Sequence, residues 1–174
     1  MALVLMCGLS FSGKSTLAVQ LSDELSAELL SLDQINEERG LDGGQGIPLE
    51  EWAKTNQIAH ERAGALLASG RHVVVDDTGS PRFIRDEWRA TAAAAGAPFV
   101  LVWVQVTPEF QRQRVHTNRD SQARRDVTDA VLAEHAASFQ PPDEEDPLIV
   151  DATRTTDATT IAALVGAINS ESVR

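Results

Sequence analysis

The sequence predicts an α/β fold in which a five-stranded parallel sheet lies between layers of helices. Three observations predict it. Apolar runs of strand length recur five times along the 174 residues, a stretch with helical spacing follows each, and glycine, proline or acidic clusters separate the units. Near-continuous apolar runs mark strands buried on both faces of a parallel sheet, and ligands then bind outside the carboxyl ends of those strands.

Residues 2–7, ALVLMC, give the first strand. Leu17, Leu21, Glu24 and Leu25 recur at helical spacing from Lys14 to about Ala27, and Glu28 to Leu32 form a short second strand that ends at Asp33. Gly40, Gly43, Gly44 and Gly46 make "RGLDGGQGIP" too glycine-rich for regular structure, so it reads as a mobile loop. Trp52, Ala59, Ala63 and Leu66 share one face of a helix from Leu49 to Ser69, which Gly70 stops.

The third strand is Arg71 to Asp77. Ser80 and Pro81 read as the N-cap and first-turn residues of a helix whose apolar face is Phe83, Ile84, Trp88, Ala92 and Ala95, ending at Gly96. Pro98 to Val106 is the fourth strand, and its apolar character predicts a central position. Thr107 and Pro108 open a helix that runs into an arginine-rich segment, and another helix spans about Thr128 to Phe139. "PPDEEDP" is a connector, Leu148 to Asp151 the fifth strand, and about Asp157 to Ile168 the final helix. There is no internal repeat, and residues 1–174 read as a single domain.

A net charge of -11 and a pI of about 4.7 repel polyanions and argue against a protein that coats nucleic acid. Yet five arginines, Arg112, Arg114, Arg119, Arg124 and Arg125, cluster on this acidic body. The single Cys7 can form no internal disulfide and reads as a buried, inert thiol. The apolar start lacks the basic flank and length of a signal peptide, and no run approaches the ~18 residues of a membrane span, so a cytoplasmic protein without membrane contact is expected.

"GLSFSGKST" meets the pattern G-x-x-x-x-G-K-[ST] with Gly8, Gly13, Lys14 and Ser15, between a buried strand and an amphipathic helix. Its glycines let backbone N–H groups converge on phosphate, the helix adds its positive end, and Ser15 offers a hydroxyl to Mg²⁺. Ser10, Ser12 and Thr16 complete the candidate nucleotide contacts.

Asp33, on the same rim, suits either a general base for an attacking hydroxyl or the N-cap of the segment that follows. Asp76 and Asp77 stand where such proteins reach Mg²⁺; since strand neighbours face opposite ways, one of the two is expected in the site. Arg39 and Arg85 are candidate acceptor contacts, with a loop charge and a solvated helix face as the ordinary alternatives. The arginine cluster reads as a lid over about residues 112–127 that closes on a triphosphate, or as an RNA patch or salt-bridged helix surface. His60, His72, His116 and His135 show no metal-ligand spacing.

The order "GLSFSGKST", "SLD", "VVVDDTGSPRFIRDEW", "VQVTPEFQRQRVHTNR" and "FQPPDEEDPLIVDAT" resembles the small P-loop kinases related to polynucleotide kinase, zeta toxin and chloramphenicol phosphotransferase. The resemblance implies a three-layer P-loop NTPase fold, Asp33 as general base, Asp77 with Thr78 as the magnesium-side pair, and Arg114 and Arg119 as lid arginines on the donor phosphates. One departure is Asn36, where the polynucleotide enzymes place arginine; this chain reaches arginine only at Arg39.

The expectation is therefore an ATP- and Mg²⁺-dependent kinase acting on a hydroxyl, with a small-molecule acceptor favoured over nucleic acid. Its rivals are a polynucleotide 5′-hydroxyl kinase and a nucleotide-hydrolysing switch without an acceptor. Strand binding would depend steeply on salt. A switch would need an element that positions water, and none is identified.

Overall fold

A computed structural model describes residues 1–41 and 46–172; Gly43 and Gly44 of the predicted loop lie outside the described residues. Five parallel strands, β1 (Leu3–Cys7), β2 (Glu28–Ser31), β3 (Val73–Asp76), β4 (Phe99–Gln105) and β5 (Leu148–Asp151), form one sheet in the order β2-β3-β1-β4-β5. Leu3 of β1 pairs with Val73 on one side and Phe99 on the other. That register puts β1 at the centre, and all five of its residues are buried.

Seven helices connect and cover the strands among the described residues: α1 (Lys14–Leu25), α2 (Leu32–Glu38), α3 (Leu49–Ala68), α4 (Arg82–Ala94), α5 (Pro108–Ser121), α6 (Asp129–Ser138) and α7 (Ala158–Glu171). Alternation along β1 divides the core into two layers. Val4 and Met6 pack with Leu17 and Leu21 of α1 and Leu164 and Ile168 of α7. Leu3, Leu5 and Cys7 face the other way, toward Ile35 of α2, Ala59, Ala63 and Leu67 of α3, and Trp88 and Ala92 of α4.

Three local expectations change. The second strand stops at Ser31 rather than running to Leu32, and residues 32–38 form a helix whose N-cap is Ser31, its hydroxyl accepting from Gln34 N at 3.3 Å. Asp33 therefore stands in the first turn of α2, and the capping role falls to Ser31. Ser80 does not cap α4: Pro81 holds the N-cap position, and the side-chain oxygen of Gln140 accepts from Arg82 N at 2.8 Å instead.

Phe83 also leaves the predicted core face and is 57% exposed, while Arg85 takes a buried place. A buried guanidinium is tolerated because its donors are matched. Arg85 pairs with Glu145 at 2.6 Å and donates to the carbonyls of Gly79 (2.7 Å) and Gln140 (2.9 Å). The acidic connector is thus part of the structure. No helix among the described residues is long and apolar enough to cross a membrane.

Candidate active site

At the carboxyl end of β1, residues 8–13 form a loop that turns directly into α1. Gly13 holds the N-cap position with φ +99°, and no side chain caps the helix, so its first N–H groups remain available to an anion. The close fit explains the glycine: a Cβ there would lie 2.8 Å from Arg114 Nη1 and 3.0 Å from Thr155 Oγ1.

The loop is fastened from outside. Gln111 Nε2 donates to Ser10 O (2.8 Å), and Arg114 donates to Phe11 O (3.1 Å) and to Ala152 O (2.8 Å). These bonds occupy loop carbonyls that would otherwise repel phosphate. Lys14 is buried and donates to Leu9 O at 2.9 Å; burial lowers its pKa, against the pull of Asp76 and Asp77. Beneath the loop the Cys7 thiol donates to Gly79 O, and burial pushes its pKa up to about 12, which makes it inert at neutral pH.

The loop opens on a cavity of about 1220 Å³. Lys14, Ser15, Thr16, Asp33, Asp76 and Asp77 all line it. That both strand-end acids do so corrects the expectation that only one would: β3 stops at Asp76, so Asp77 lies beyond the strand and its alternation. Asp77 Oδ1 accepts from Thr78 N at 2.6 Å; burial raises its pKa, opposed by that bond and by Lys14. Burial and then the Asp76 carboxylate raise the pKa of Asp33, against Arg124, Lys14 and Arg125. The Asp33 carboxylate has no hydrogen-bond partner among the described residues and is open to the cavity.

The arginines divide differently from the sequence expectation. Arg114 stands behind the phosphate loop, and Arg119 is held by Asp126 (3.0 Å) and Asp129 (2.7 Å), so neither lines the cavity. The cavity-lining pair is Arg124 and Arg125, in the turn between α5 and α6, with the Arg124 guanidinium 4.5 Å from the centre of the Phe11 ring. Asn118 fixes that turn through Arg124 N (3.0 Å) and Arg124 O (3.1 Å).

Arg39 binds Glu51 and Thr55, tying α2 to α3, and Arg85 is in the ion pair with Glu145; neither lines the cavity. The Ser12 side chain is buried within the loop without a partner, so Ser10 is the loop serine on the cavity wall. Sequence reasoning missed the α3 and α4 walls, including Trp52, Asn56, His60, Ile84 and Glu87. Their signal was a second stripe on α3, offset from the core stripe Thr55, Ala59, Ala63 and Leu67.

Ser15 with Asp76 and Asp77 supplies hard oxygen donors of the kind Mg²⁺ accepts. No group of three His, Cys, Asp or Glu able to hold a metal occurs among the described residues.

The family model described as an AAA domain, AAA_33, matches residues 3–142. No curated protein sequence matches the chain. Solved structures share its fold. A gluconokinase from Sinorhizobium meliloti aligns with a TM-score of 0.66 and 17% identity over 98% of this chain and 97% of that one. The Mycobacterium tuberculosis APS kinase CysC, solved with AMPPNP and APS, aligns at 0.66 and 23% over 97% and 95%. Chaetomium thermophilum Kti12, solved with ADP-AlF3, aligns at 0.76 and 15% over 98% of each chain. The fold is that of the P-loop kinases.

Proposed function

The chain belongs to the AAA_33 family of AAA domains, and from that membership and the cavity we propose that it transfers the γ-phosphate of ATP to a hydroxyl of a small molecule. The carrying observation is Asp33: an unpartnered carboxylate on the wall of the same cavity as Lys14 and the uncapped start of α1. A switch that only hydrolysed nucleotide would have no use for the further walls that α3 and α4 give this cavity.

In this reading residues 1–174 act as one kinase domain. The loop N–H groups and Lys14 hold the β- and γ-phosphates, and Arg124 and Arg125 cover them from the lid turn. Arg114 and Arg119 keep the loop and lid in place. The acceptor oxygen attacks the γ-phosphorus, the bond to the bridging oxygen of ADP breaks, and Asp33 takes the acceptor proton. Ser15 and Asp77, with Asp76 beside it, would hold Mg²⁺, which when bound neutralises charge on the phosphate oxygens. An ATP requirement and an inert thiol fit a cytoplasmic enzyme.

A screen of labelled γ-phosphate transfer over oligonucleotides, nucleosides, antibiotics and sugars tests the reading, with Asp33→Asn as the blank. Label is expected on a small hydroxyl compound with the parent protein and not with the blank. ADP formation at a rate that no acceptor changes would favour the switch.

A further inference from the structure

Two of the four exposed large hydrophobic side chains among the described residues, Leu49 (86%) and Phe83 (57%), line this one cavity. Leu49 opens α3 and Phe83 lies in the first turn of α4, with half-buried Trp52 and Ile84 beside them. Burying such surface is favourable, so apolar side chains gathered at one cavity suit an apolar occupant.

Charge on this side is of one sign. The α2, α3 and α4 residues that line the cavity bring Asp33, Glu37 and Glu87 and neither lysine nor arginine; the cavity's cations, Lys14, Arg124 and Arg125, belong to the phosphate loop and the lid. His60 adds no positive charge. It stacks on Trp88 with ring centres 3.9 Å apart and shares a hydrogen bond with Thr91 Oγ1 at 2.7 Å, and burial lowers its pKa against the pull of Glu87. The two arginines that the sequence offered as acceptor contacts are spent elsewhere, Arg39 on Glu51 and Arg85 on Glu145. Lys54 and Arg62 of α3 pair with Glu51 and Glu38, Arg82 and Arg89 of α4 pair with Asp86, and none of these four lines the cavity. The α3 wall adds the amides of Asn56 and Gln57, but no cation on these walls offsets the dehydration of a phosphate, sulfate or carboxylate on the acceptor.

We infer that the acceptor is a hydroxyl compound with an apolar face and without negative charge, held between α3 and α4. This rests on the kinase reading for its use of the site, but binding tests it separately. Four probes differ by one property each: phenylethylene glycol is neutral, phenylethanolamine cationic, mandelate anionic, and glycerol lacks the apolar face. Their binding to the full chain is measured by ligand-observed NMR with Mg²⁺ and a non-hydrolysable ATP analogue present, and transfer is measured with labelled ATP.

Phenylethylene glycol and phenylethanolamine are expected to bind at least about tenfold more tightly than mandelate or glycerol. Phe83→Ala should abolish the preference over glycerol, and Glu87→Lys should improve mandelate about tenfold relative to the neutral probe. Both side chains are more than half exposed, so neither substitution endangers the fold. Equal binding of mandelate, equal binding of glycerol, or binding of no probe overturns the inference. If the binding order holds and no label is transferred, the site's preference for an uncharged or cationic apolar hydroxyl compound stands and its use as an acceptor site fails; label passed preferentially to mandelate or glycerol overturns the preference and leaves the kinase reading.

Discussion

Arg85 and Glu145, sixty residues apart in sequence, form an ion pair at 2.6 Å with side chains only 1% and 5% exposed. Burial opposes ionisation of Glu145, but the guanidiniums of Arg85 and Arg89 prevail and hold its pKa below the usual carboxylate range. Because Arg85 also holds Gly79 O, the pair joins the connector before β5 to the turn beneath the phosphate loop. Removing one member leaves the other charged and buried. Glu145→Ala should therefore lose about 3–5 kcal/mol of unfolding free energy in urea, whereas breaking an exposed pair costs about 1 kcal/mol or less.

Lys14 separates stability from binding. Its charge is buried at a cost, and its one bond is to Leu9 O, which also accepts from Ser12 N at 3.2 Å. Lys14→Met therefore leaves that carbonyl satisfied and should change nucleotide-free stability by less than about 1 kcal/mol. Nucleotide affinity should fall about tenfold to hundredfold, the loss of one or two charge-assisted bonds. Chemical denaturation and titration of a fluorescent ATP analogue check the two halves.

The sheet was legible because its strands are short apolar runs, and the phosphate loop because its chemistry is compressed into nine neighbouring residues. What stayed hidden depends on long-range pairing. Arg85 reads as a surface charge until Glu145 arrives from the connector, and Phe83 reads as core until Arg85 has taken the buried place. Arg119 and Arg124 have the same local signature, since each is an arginine in a basic run. Only the fold shows that Asp126 and Asp129 hold the first, while the turn sets the second on Phe11.

That division makes the two arginines separable by experiment. Arg124→Ala should lower the transfer rate on the order of 10³-fold while leaving the fold intact, the scale expected for an arginine that stabilises the transferring phosphoryl group. Arg119→Ala removes the contacts to Asp126 and Asp129, which anchor the turn that carries Arg124 and Arg125. Limited trypsin digestion should then cut after Arg124 or Arg125 several times faster than in the parent protein. The opposite assignment, with Arg119 the more damaging to transfer and lid cleavage unchanged, would show that the lid rearranges before it acts.

Asp33 gives the pH dependence a definite sign. Acting as a base requires its ionised form, so transfer should rise as pH passes upward through its pKa. Burial and the Asp76 charge raise that pKa, which puts the acidic limb of the rate profile above the ordinary carboxylate value of about 4. Arg124 works against the shift, so Arg124→Ala should move the limb further toward neutral pH as well as slowing transfer. Asp33→Asn should remove the limb and lower the rate about 10²- to 10⁴-fold, with nucleotide affinity unchanged. A profile of kcat against pH for the three proteins decides it. An unchanged limb in Asp33→Asn would assign the titration to another group and take the base role away from Asp33.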